Sequence, residues 1–100
     1  MEKKFRAWNA EFKTMSLSFT LEDLAMFRHK GADFTDSIFM QYTGYEDKNG
    51  VEIYEGDIVE NEYGKSGAVK YDYESLVKLR HNLYRAAVIG NIYMHPELLV

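Results

Sequence analysis

Residues 39–59 read Phe39-Met40-Gln41-Tyr42-Thr43-Gly44-Tyr45-Glu46-Asp47-Lys48-Asn49-Gly50-Val51-Glu52-Ile53-Tyr54-Glu55-Gly56-Asp57-Ile58-Val59. Phe39, Met40 and Tyr42 are bulky and predict a strand over residues 37–43. Asp47-Lys48-Asn49-Gly50 then predicts a tight hairpin turn, because Asn-Gly adopts the positive φ values such a turn needs. Val51, Ile53 and Tyr54 resume the extended pattern, Gly56-Asp57 bends it, and Ile58-Val59 starts another strand. Strand, turn, strand, bend, strand within 21 residues predicts a sheet that doubles back on itself.

Downstream, Gly64-Lys65-Ser66-Gly67 is a second predicted turn, returning through Ala68, Val69 and Tyr71. Residues 74–85 fit a helix about as well as a bent strand, since Leu76, Val77, Leu79, Leu83 and Tyr84 satisfy both periods. Residues 87–93 read as the last strand, and Pro96 ends it before an apolar tail, Leu98-Leu99-Val100, which must dock on its own sheet or on a neighbouring chain. Upstream, Lys4-Phe5-Arg6-Ala7-Trp8 and residues 12–19 form a predicted hairpin turning at residues 9–11, with Met15, Leu17 and Phe19 on one face. Thr20-Leu21-Glu22-Asp23 reads as a helix start, Arg28-His29-Lys30 as its cationic end and Gly31 as its stop. The expectation is a single mainly β domain over residues 1–100. Its form is a small SH3-like barrel or a curled antiparallel sheet, with an N-terminal hairpin and one short helix.

Composition fits that expectation. One hundred residues hold one core, and a thin one. The 15 aromatic residues must do much of the filling, which also predicts a homo-oligomer, most simply a dimer. No uninterrupted apolar run exceeds four residues, the length of residues 86–89, which is too short to cross a bilayer. The absence of cysteine removes disulfides, thiolate metal sites and a Cys nucleophile. A net charge of −4 counts against general binding to nucleic-acid backbone.

The chemical motifs are decoys. Gly64-Lys65-Ser66 lacks the earlier glycine of a phosphate-binding loop, since position 59 is Val. Asp47-Lys48-Asn49-Gly50 aligned as a calcium loop puts Tyr45 and Gly56 where ligands belong. His95-Pro96-Glu97 has no cysteine pair to complete a zinc deaminase site, and His29, His81 and His95 lie far apart in sequence. No metal or cofactor is expected. An enzyme would have to use Asp57 with Glu55 or Glu60, and His81 or His95 as proton carrier. The same Asp57 also reads as a residue that accepts from loop amides, which requires no chemistry.

Three blocks resemble a known family: Lys4-Phe5-Arg6-Ala7-Trp8 at the start, residues 39–44, 47–50 and 52–59 at the centre, and Val88-Ile89-Gly90-Asn91-Ile92-Tyr93 with Pro96-Glu97-Leu98-Leu99 at the end. In this order and spacing the chain resembles the YopX family of small phage and prophage proteins. The resemblance implies a phage or prophage origin, expression in a bacterial host cytoplasm, and no catalytic mechanism.

The functional expectation is therefore a non-enzymatic accessory protein that acts by binding. Residues Arg6, Trp8, Gln41, Tyr42, Tyr54, Asp57, Asn91 and Tyr93 are the candidates for ligand or partner contact. One version docks a host protein, such as an enzyme of host defence, on an acidic face drawn from Glu46, Asp47, Glu52, Glu55, Asp57, Glu60 and Glu62. A second version is an oligomer that sequesters a small anionic, nucleotide-like signal. It stacks the ligand on Trp8, Tyr42, Tyr45 or Tyr54 and balances its charge with Arg6, Lys70, Arg80 or Arg85. Single-stranded nucleic acid, stacked on rings in Lys4-Phe5-Arg6-Ala7-Trp8 and Lys70-Tyr71-Asp72-Tyr73, is a third.

Overall fold

The computed structural model describes residues 3–81 and 85–99. Among the described residues eight strands are spread over two antiparallel sheets. The larger is built from β1 (Lys4–Asn9), β2 (Thr14–Met15), β3 (Phe19–Thr20), β4 (Ser37–Glu46) and β5 (Glu52–Tyr54). Its strand order is β2-β1-β4-β5, with β3 also pairing β1. The smaller sheet has the order β7-β6-β8, from β6 (Asp57–Glu60), β7 (Ser66–Ala68) and β8 (Ala87–Asn91). Together they make a curled antiparallel half-barrel.

The central stretch folds as its residues predict. Asp47–Gly50 is the turn, with Gly50 at φ 79° and the Gly50 N–H donating to the Asp47 carbonyl at 3.0 Å. The β4–β5 ladder is irregular: four steps along β4 (Tyr42 to Glu46) face two along β5 (Tyr54 to Glu52). Gly44, at φ 89°, absorbs the extra residues. Inside this bulge the Thr43 hydroxyl donates to the Ile53 carbonyl and accepts from the Tyr45 N–H, which pairs two backbone groups there.

Helix α1 (Leu21–His29) starts where the sequence predicts, with a reciprocal capping box between Thr20 and Asp23. The described part of the segment that fits either period belongs to a second helix, α2 (Tyr73–His81), so the described residues carry two short α-helices rather than one. Asp72 tips the balance by accepting from the Ser75 N–H at the helix start. Leu83, Tyr84 and Val100 lie outside the described residues.

Three boundaries differ from expectation. The N-terminal hairpin pairs Trp8 with Met15, but its return strand splits into β2 and β3, leaving Leu17 exposed and only Phe19 buried. Ser16 causes the break, because its hydroxyl accepts from the Ala7 N–H and takes a ladder position. The second turn closes at residues 61–65, earlier than Gly64-Lys65-Ser66-Gly67, because the Asn61 side chain accepts from the Tyr63 and Lys65 N–H groups. Finally, β8 stops at Asn91, and Pro96–Leu99 form a 3₁₀ turn whose Leu98 lies over Gly90 of the chain's own sheet.

Two buried clusters form the core. Trp8, Met40 and Tyr54 join the N-terminal strand to the centre of the larger sheet, flanked by Met15, Tyr42 and Tyr93. Ile53, Val69 and Leu79 lie between the sheet and α2, flanked by Tyr45, Val59 and Val88.

Candidate functional site

The polar centre of the fold sits where β1, the β5–β6 bend and β8 meet. Gly56 adopts φ 87°, which turns Asp57 inward, and a methyl group at Gly56 would already touch Met40, Asn91 and Tyr93. Asp57 is 1% exposed. One carboxylate oxygen, Oδ2, accepts from the Tyr54 N–H at 2.8 Å. The other, Oδ1, accepts from the Asn91 side-chain amide at 3.1 Å and is ion-paired with the Arg6 guanidinium. Arg6 also lies over the Tyr54 ring, 4.5 Å from its centroid. Asn91 in turn accepts from the Tyr93 N–H, and Tyr93 stacks on Trp8 at 6.3 Å.

The structure thus brings together Arg6, Trp8, Tyr54, Asp57, Asn91 and Tyr93. Tyr42 joins them through its ring contact with Tyr54 at 5.4 Å. Gln41 stands apart, donating to the Tyr71 hydroxyl at 3.1 Å. What converges is a brace between the two sheets. Trp8, Tyr54, Asp57 and Asn91 are all buried, and Asp57 already accepts three hydrogen bonds.

The groups named for acid–base work do not assemble around it. Glu55 accepts from the Gln41 N–H, and Glu60 is exposed at the end of β6. His95 faces Asn91, with Nδ1 accepting from the Asn91 N–H at 3.2 Å, while His29 and His81 are exposed at the ends of α1 and α2. Among the described residues no cluster of three or more His, Asp or Glu is placed to hold a metal ion. No helix among them is long and apolar enough to cross a membrane.

The acidic run is largely internal or paired. Asp47 is buried and accepts from the N–H groups of Asn49, Val51 and Val88. Burial pushes its carboxyl upward, but those three amides outweigh burial and hold it below the ordinary value. Glu52 is bonded to Lys4, which holds the carboxyl low and raises the Lys4 ammonium. Glu62 pairs with Arg85 at 3.1 Å. The anion-binding set is equally dispersed: Trp8 and Tyr54 are sealed, Arg6 and Arg85 are ion-paired, and Lys70 and Arg80 stand exposed elsewhere.

The sequence reading missed a different surface. Helix α1 buries none of its nine residues, and Leu21, Met26 and Phe27 are each 42–53% exposed. Phe27 packs edge-on to Phe19 at 6.2 Å, Phe19 edge-on to Phe39 at 5.8 Å, and Phe39 edge-on to Phe34 at 5.6 Å. This aromatic ladder leaves Phe27 and Phe39 about 40% in water. In the sequence Leu21, Leu24, Ala25 and Phe27 fall on one side of the helix at 100° per residue, which reads as a core-facing stripe, and only Met26 departs from it.

Residues 20–100 match the family described as YopX protein. The fold is similar to that in the crystal structure of protein EF1440 from Enterococcus faecalis. The TM-score is 0.66 at 25% identity, over 98% of each chain. No curated protein matches the chain. The match to more than three quarters of the chain makes it a member of the YopX family.

Proposed function

We propose that this YopX-family chain is a non-enzymatic phage or prophage accessory protein, and that it docks a protein partner of its bacterial host on the aromatic face around α1. One observation carries the reading: a nine-residue helix with no buried side chain sits beside half-exposed phenylalanines. Apolar surface of that kind is stabilised by being covered, and aromatic rings at the centre of a contact contribute most to it. Catalysis has no comparable support, since the buried Asp57 carboxylate is already bonded to Tyr54, Asn91 and Arg6 inside the fold.

A second copy of the chain is the simplest partner in isolation. Helix α1 has Glu22 in its first turn and Arg28 in its last. Two such helices packed antiparallel set each acidic end against the other's basic end. The test uses the chain with Leu21→Glu and Met26→Glu, both at exposed positions, so near-ultraviolet circular dichroism should be unchanged. The wild-type chain is expected to scatter light as a dimer at tens of micromolar and to retain a host protein from bacterial lysate. The variant should be monomeric and retain nothing. Identical behaviour of the two chains, or a wild-type chain that is monomeric and captures nothing, refutes the proposal.

A further inference from the structure

Strand β7 is an open edge of the smaller sheet, and its three residues, Ser66, Gly67 and Ala68, are all exposed. The Val69 N–H donates to the Asp57 carbonyl, and the Lys65 carbonyl accepts from the Asn61 N–H, both at 2.8 Å. Residues 65, 67 and 69 therefore turn their backbone groups toward β6, and by the alternation of a strand Ser66 and Ala68 turn theirs outward. Among the described residues no strand pairs that edge, and neither Ser66 nor Ala68 has a hydrogen-bond partner on it. Gly67 stands between them. Of the chain's seven glycines, five adopt positive φ, and Gly90 has no room for a methyl group beside Leu98 and His95. Gly67 has neither constraint: its φ is not positive, and an added Cβ would meet nothing within 4 Å. The β6–β7 register runs through it without a shift, so no bulge accounts for it. A strand glycine of this kind marks a place where another backbone comes close. Beside it, between β7 and α2, lies a groove of about 260 Å³ whose lining includes the buried Val69, Leu79 and Ala86.

We propose that β7 is a docking edge: an extended segment of a partner protein adds to the smaller sheet as a fourth strand, pairing with the backbone of Ser66 and Ala68 and seating an apolar side chain in the groove. The unpaired N–H and C=O groups supply the attraction, and the groove selects the side chain. The bare Cα of Gly67 leaves the space through which that side chain enters. A second copy of the chain fits less well, because two β7 edges paired about a two-fold axis set Gly67 opposite Gly67 and leave that space empty. The edge shares no residue with the aromatic face around α1 and does not rest on it.

The probe is a phage-displayed library of random dodecapeptides panned against the full chain. It should yield sequences with β-branched or other apolar residues at alternate positions. A selected peptide, made synthetically, should shift the amides of residues 58–60, 66–69 and 75–79 saturably. Methylating its backbone nitrogens at alternate residues should weaken binding about tenfold, and at the intervening residues hardly at all, because an added strand pairs along one edge. Ala68→Pro removes the outward N–H and leaves the β6 ladder its donors, and Gly67→Leu fills the entrance to the groove without a clash. Each should weaken the peptide about tenfold or more with near-ultraviolet circular dichroism unchanged, and either variant alone suffices for the test. Leu21→Glu on α1 should leave peptide binding as it is, which separates this edge from the aromatic face. No enriched peptide, shifts spread elsewhere, binding indifferent to backbone methylation or to Gly67→Leu, or self-association that Gly67→Leu abolishes and Leu21→Glu does not would overturn the proposal.

Discussion

Replacing Asp57 tests whether the polar centre is a brace or a reactive site. Asp57→Ala leaves three donors without their acceptor: the Tyr54 N–H, the Asn91 amide and the Arg6 guanidinium. Breaking a buried ion pair from one side costs about 3–5 kcal/mol, because the remaining charge stays desolvated. Arg6 is four-fifths covered and lies over Tyr54, so it gains little by turning to water. A domain of this size has about 5–15 kcal/mol of stability in total, so the variant should sit near the edge of folding. Arg6→Met should cost somewhat less, since Asp57 keeps its bonds to Tyr54 and Asn91. In the double variant the losses should not add, with a coupling of about 2 kcal/mol or more. Urea unfolding followed by Trp8 emission measures all four corners, and Trp8 is the chain's single tryptophan, stacked on Tyr93 beside the brace. Single costs below about 1 kcal/mol, or strict additivity, would show that the Arg6–Asp57 pair does not hold the sheets together.

Two further perturbations follow from the same geometry. The Asp47 carboxyl titrates below its ordinary value of 3.8, so the unfolded chain binds more protons in acid. Its contribution is complete above that value and is lost as pH falls through the lower folded one; Glu52, also held low, acts in the same direction. Urea midpoints between about pH 5 and pH 2 should therefore fall steeply for the wild-type chain and less steeply for Asp47→Asn, and parallel curves would refute this account of the turn. Gly90→Ala places a methyl group 2.7 Å from Leu98 Cδ1 and 2.9 Å from His95 Nδ1. It should cost about 1–3 kcal/mol and speed amide exchange at His95 and Leu98, leaving β6 protected; wild-type exchange at both would mean that the 3₁₀ turn is not seated on β8.

Much of the fold was legible because local chemistry agreed with the global structure. Asn49-Gly50, the Thr20–Asp23 capping box and the Gly56 bend each fix backbone geometry within four residues, and all three are where the sequence puts them. Residues 74–85 were not legible, because Leu76, Val77 and Leu79 suit both periods and the Asp72 side chain decides between them. Of the candidate set, Arg6, Trp8, Tyr54, Asp57, Asn91 and Tyr93 come together across more than 80 residues of chain, and Gln41 stands apart. Their purpose could not be read from residue type, since a carboxylate saturated by a backbone amide, an arginine and an asparagine has the same sequence as one facing a substrate. Burial separates the two, and burial depends on the sheets closing. The α1 surface escaped for the converse reason: apolar residues in a short helix suggest a core, and only the packed structure shows them outside it.

The position of β1 has a consequence for how the chain is made. This strand, which precedes the other described elements in the chain, pairs with β2, β3 and β4, and its Arg6 is tied to Asp57, which Asn91 of β8 completes. Synthesis at 5–20 residues per second puts an interval on the order of ten seconds between the emergence of Arg6 and that of Asn91. Through that interval the guanidinium has its carboxylate only late and its amide neighbour last, while Trp8, Phe19 and Phe39 are already outside the tunnel with nothing to close over them. Exposed aromatic segments of an unfinished chain are prone to aggregate, so variants that weaken β8 should lower the yield of protein made at high temperature.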